Sequence, residues 1–145
     1  MDLVEAIKAA LIADPNVGGA LAKWDFGDGD APAIFDGDED RPVPTPAPYA
    51  TIAIDTSSEA GSRTQIGDIL GCALEFWGDR SESRRALRRI AGHARLALHE
   101  KRLTVDDWPL VFVRANAPTD TVDGEGFPGA AIELVVTMMR DTPQG

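Results

Sequence analysis

Residues 66–98 read IGDILGCALEFWGDRSESRRALRRIAGHARLAL, and the change of period inside this stretch decides the fold class. From 66 to 77 the side chains alternate, with Leu70, Cys72, Leu74 and Phe76 on one side, which is the two-residue period of a strand with one covered face. Past Gly78, Leu87, Ile90, Ala91, Ala94 and Leu98 recur at helical spacing behind a cap candidate in Ser81 or Ser83, and the opposite face is rich in arginine. A strand followed by a one-sided helix predicts an α+β domain.

The flanks extend the same pattern. Upstream, YATIAID (49–55) alternates and is separated from 66–77 by SSEAGSR, so the two runs read as antiparallel neighbours. Downstream, LVFVRA (110–115) and AIELVVTMM (131–139) are two more strands, joined by PTDTVDGEGFPG, whose glycines, aspartates and prolines are turn chemistry too long for a tight hairpin. At the start, Leu3, Val4, Ile7, Ala10 and Leu11 predict a helix over 2–13 that stops before Pro15, because a proline disfavours helix at the residue preceding it. Residues 16–23, with Gly18 and Gly19, read as a turn or a second small helix. The expected architecture is a four-stranded, mainly antiparallel sheet with its helices packed on one face. One domain covers 1–145, with a long acidic, proline-rich loop over 24–48, interrupted by a short strand at 33–35, and a flexible tail at 141–145.

Charge is distributed unevenly along the chain. The net formal charge of −10 over 145 residues opposes non-specific binding to phosphate backbones. Seven acids and no base lie between Asp25 and Asp40, whereas Arg80 to Arg102 holds eight bases against Glu82 and Glu100. The single cysteine, Cys72, excludes an intrachain disulfide, and the amino terminus lacks both a basic leader and a long apolar run, which reads as a cytoplasmic product with no membrane partner.

Catalytic and metal chemistry find little support. An EF-hand in DFGDGD fails on spacing: counted from Asp25, position 3 is Gly27 and position 12 is Asp36; counted from Asp28, position 5 is Pro32 and position 12 is Glu39. His93 and His99 are six apart on one helix and diverge, so they cannot share a ligand and read as helix-flank residues. Asp106 and Asp107 read as a turn before a strand rather than paired acid–base groups. No nucleophile, zinc or phosphate-loop motif is present. The expectation is a non-enzyme without catalytic residues, metal or cofactor.

Arg84, Arg85, Arg88 and Arg89 form a positive ridge whose better partner is an acidic protein surface, and the chain carries one itself. The opening helix ending LIADPNV, the proline-rich approach to PYATIAID, the strand ending LEFWGD, the arginine-rich helix and the RLTV…WPLVFVR return together resemble the tail-terminator or tail-completion proteins of long-tailed phages and phage-derived gene transfer agents. The resemblance covers about residues 3–140, although the acidic insertion before Pro48 is longer than the family pattern. It implies a virion protein, assembled in the host cytoplasm, that forms a ring, commonly a hexamer. Such a ring caps the head-proximal end of the tail tube, ends tube polymerisation and meets the head connector or head–tail adaptor. DNA then passes through the channel without specific binding.

On that resemblance, the ridge faces Asp36, Asp38, Glu39 and Asp40 of the adjacent subunit, or those acids line the lumen. The competing reading is a monomeric module whose acidic loop captures a cation or a basic protein.

Overall fold

The computed structural model describes residues 1–37, 41–59, 61–62, 65–123 and 125–141. Helix α1, Leu3–Ala13, starts on a reciprocal cap: the Asp2 carboxylate accepts the Glu5 N–H at 2.8 Å while the Glu5 carboxylate accepts the Asp2 N–H at 3.2 Å. It ends at Asp14, whose side chain then caps α2, Pro15–Gly18. Proline suits that first helical position because its missing N–H would have had no partner there.

The 24–48 segment is more structured than a loop. Strands β1, Lys23–Asp25, and β2, Asp30–Pro32, form an antiparallel hairpin, and β3, Ile34–Asp36, joins the main sheet as a parallel edge strand on β4, Tyr49–Glu59. The expected strand at 33–35 is displaced by one residue. β4 pairs antiparallel with β5, Gln65–Trp77, as alternation required.

Helix α3, Arg84–Leu98, follows with Ser83 as its cap, the hydroxyl accepting the Ala86 N–H at 3.0 Å. The chain returns through β6, Lys101–Arg102, β7, Leu110–Ala115, β8, Thr119–Val122, and β9, Pro128–Asp141. Of the expected tail, Asp141 closes β9 and 142–145 lie outside the described residues.

Among the described residues the main sheet has seven strands rather than four, ordered β3-β4-β5-β9-β7-β6, with β8 also on β9. The correction has a physical source. β3, β6 and β8 have three, two and four residues, too few to establish a period, and each exists because a longer neighbour offers unpaired backbone. β9 supplies most of it. One edge pairs with β5 along its length, while the other pairs with β8 near Gly129 and with β7 near Val136.

The inner face of the sheet and the helices share one core. Leu74, Phe76, Ile132, Leu134 and Val136 from the sheet meet Ile7 and Leu11 of α1 and Leu87, Ala94 and Leu98 of α3, all essentially inaccessible. Each large aliphatic chain buried in this way contributes about 1.5–3 kcal/mol. α3 lies over β9, β5, β7 and β8, with α1 and α2 packed beside it. The described residues therefore form two layers, a helical side and a sheet side that none of them covers.

Candidate interaction surfaces

The helical side carries the arginine ridge. Core residues occupy one face of α3, which forces Arg84, Arg85, Arg88 and Arg89 onto the other, and all four are exposed. One turn further on, the same line runs past Gly92 to Leu96, which is 74% exposed. Arg85, Arg89, Gly92 and Leu96 thus form a stripe that is positive at its amino end and apolar at its carboxyl end.

Two residues fix the direction of this stripe. Arg95 Nε donates to the Ala115 carbonyl at 3.2 Å, and His99 Nδ1 accepts the Ala115 N–H at 3.0 Å, so the last turn of α3 is bolted to the end of β7. Accepting at Nδ1 leaves the proton of a neutral ring on Nε2. His99 is therefore committed to structure. Arg88 is also partly committed, its Nε lying 3.3 Å from Asp120 Oδ1 on β8. Arg84, Arg85 and Arg89 form no ion pair among the described residues.

Of the four expected acidic partners, Asp36 closes β3 at the far edge of the sheet and lines a hollow of about 170 Å³ with Val4, Gly37, Ala53 and Ile54. Asp38, Glu39 and Asp40 lie outside the described residues. Asp36 and the ridge occupy different places, since α3 sits over β9, β5, β7 and β8 rather than over β3. The DFGDGD stretch forms the β1–β2 turn, with the Asp25 carboxylate accepting the Gly27 N–H at 2.8 Å and Gly27 and Gly29 both at positive φ. Asp106 and Asp107 belong to a turn closed by the Val105–Trp108 bridge.

A cleft of about 740 Å³ lies between the 41–49 segment and the turn after β8, and two of its three lining acids are occupied. Asp123 accepts the N–H groups of Glu125 and Phe127, and Asp79 accepts those of Ser81 and Glu82. The Ser81 hydrogen bonds hold the Asp79 carboxyl below its ordinary value. Among the described residues no group of three or more His, Cys, Asp or Glu is placed to hold a metal ion, and no helix is long and apolar enough to cross a membrane.

The sheet side holds an acidic pair that the sequence reading missed. A bulge between Ile54 and Thr56 sets both Asp55 and Thr56 against Gly71 of β5, and Glu133 reaches the same glycine from β9. A Cβ on Gly71 would stand 2.2 Å from Thr56 Oγ1, 3.0 Å from Asp55 Oδ1 and 3.4 Å from Glu133 Oε1, so the bare backbone is what lets these oxygens converge. Desolvation first and the Asp55 charge second hold the Glu133 carboxyl above its ordinary value. Beneath them the Cys72 thiol is pushed up to about 11 by burial and by both carboxylates, which keeps it protonated and unreactive. A lone acid in an alternating strand signals only that it faces outward; the convergence depends on the bulge.

No family model matches the chain, and no curated protein matches it. Its fold is similar to that of a chain in a solved structure described as the virion of a native gene transfer agent particle. The TM-score is 0.69 at 18% sequence identity, over 97% of this chain and 96% of that one. At that identity the likeness speaks for the fold, and the two chains share it nearly end to end.

Proposed function

We propose that this protein is a structural component of a virion-like particle, a tail terminator. In this reading it closes into a ring, commonly six copies, on the head-proximal end of the tail tube. There it stops further tube subunits from adding and presents a surface to the head connector or adaptor. The observation that carries the reading is the likeness of fold to a virion chain along almost the whole of both molecules. Mechanism is surface complementarity rather than bond chemistry, and no catalytic residue or cofactor is assigned.

The electrostatics support a ring. Arg84, Arg85 and Arg89 on the helical layer and Asp55 and Glu133 on the sheet layer form no ion pair among the described residues, and a head-to-tail contact brings such unlike surfaces together at every joint. Asp36, with Asp38, Glu39 and Asp40, is assigned to such a joint or to the lumen, where net negative charge lets DNA pass without holding it. Light scattering at low and high salt, with negative-stain images of any large species, tests self-association. Rings that loosen with salt are expected; a particle of fixed monomer mass at every concentration and salt, and inert toward tail tubes, contradicts the reading.

A further inference from the structure

The sheet side of the molecule has an apolar surface that no element among the described residues covers. Ile69, Leu110 and Phe112 are 37, 37 and 38% exposed there, with Val135 and Met139 half-buried between them. Register explains the grouping: Phe112 stands beside Thr137 and Thr137 beside Ile69, while Leu110 stands beside Met139. At one side of this patch lie the Asp55 and Glu133 carboxylates over Gly71. Arg114 is next to Val135 on the same face, yet neither acid forms an ion pair among the described residues. The patch is negative at one end and apolar at the other.

The α3 stripe has the opposite character at comparable length. From Arg85 to Leu96 it runs about 16 Å at the rise of a helix. From Asp55 on β4 to Phe112 on β7 the sheet face spans three strand spacings across and two residues along, or about 16 Å. Arg85 and Arg89 match the carboxylates in sign while Leu96 matches Phe112 and Ile69 in polarity. Because the stripe is on the helical layer and the patch on the sheet layer, one chain cannot bring them together.

We infer that the occupant of the sheet face is a second copy of this chain, which lays Arg85, Arg89 and Leu96 of its α3 against Asp55, Glu133 and Phe112. This rests on the proposed ring and names its joint, and with the arginines so engaged the Asp36, Asp38, Glu39 and Asp40 group is left to the lumen. An arginine beside Glu133 removes the like-charge conflict with Asp55, and Leu96 loses its exposure in the same step. The contact is heterologous, so it propagates until a ring closes.

Charge reversal on each side tests it. Arg89→Glu and Glu133→Arg are made separately and together; both positions are exposed, and circular dichroism checks that each variant keeps its fold. In light scattering across a concentration series, each single variant should associate at least about tenfold more weakly than the unaltered chain, because like charges then face each other. The chain carrying both changes should recover, and so should an equimolar mixture of the two single variants, in which every joint again pairs unlike charges. Single variants that assemble like the unaltered chain overturn this joint while leaving the ring itself intact. Weakened single variants that neither mixing nor combination restores overturn it as well. An unaltered chain that stays monomeric at every concentration overturns the joint, and the capping of tail tubes then judges the terminator reading separately.

Discussion

His99 Nδ1 accepts the Ala115 N–H at 3.0 Å, which joins the end of α3 to the end of β7 and so sets the direction of the arginine stripe. Removing the acceptor leaves a half-buried N–H without its partner. His99→Ala is expected to cost about 1–2 kcal/mol of stability in urea denaturation. It should also weaken self-association, although residue 99 lies outside the inferred joint. His93, on the same helix, makes no comparable bond among the described residues and should be nearly neutral to substitution.

Arg88 and Asp120 form an exposed pair within one chain, and such pairs are worth little. Asp120→Asn should therefore change stability by about 0.5 kcal/mol or less. Arg88→Ala should disturb ring formation less than Arg89→Ala, since only Arg89 is free of an ion pair among the described residues. Light scattering on the two alanine variants compares them directly.

Gly71 is needed for lack of a side chain rather than for backbone freedom. A methyl there meets Thr56 Oγ1 at 2.2 Å, so Gly71→Ala must turn Thr56 or shift the bulge. The expected loss is about 1–3 kcal/mol, in the range of overpacking elsewhere. Gly92, which has open space around its Cβ position, serves as the contrast: Gly92→Ala in mid-helix should stabilise by about 0.5–1 kcal/mol.

Glu133 has a definite pH signature. Burial and Asp55 raise its carboxyl above the ordinary 4.5, so ionising it destabilises the folded chain. That cost is absent well below the ordinary 4.5, where the group is protonated both folded and unfolded, grows as pH rises from there to the raised folded value, and is constant above it. Glu133→Gln should therefore stabilise the isolated chain at about pH 7 by a few tenths of a kcal/mol, the scale of exposed charge interactions, and lose the advantage at about pH 3. Denaturation curves at the two pH values decide it.

Strands β4, β5, β7 and β9 and helices α1 and α3 are legible in the chain because each holds its period over six or more residues. The short strands are not, since two to four residues carry no period and pair only because β4 and β7 each have a second edge to offer and β9 runs past β7. The 24–48 segment misleads for a related reason. Its prolines and acids dominate composition, yet Ile34 and Phe35 are fully buried, Phe35 within reach of the Phe26 and Tyr49 rings. The arginine ridge follows directly from helical spacing around Leu87, Ile90, Ala94 and Leu98. Its acidic counterpart on the sheet does not, because Asp55 and Glu133 lie 78 positions apart and meet only through a bulge and a glycine.

The most direct measurement of the central claim is the length of tail tubes grown from purified tube protein of the same particle, with and without this chain, in negative stain. A terminator ends growth, so its addition should shorten and narrow the length distribution and leave a ring at one end of each tube. Unchanged lengths with bare ends, at concentrations where the chain is folded and in excess, would contradict the claim.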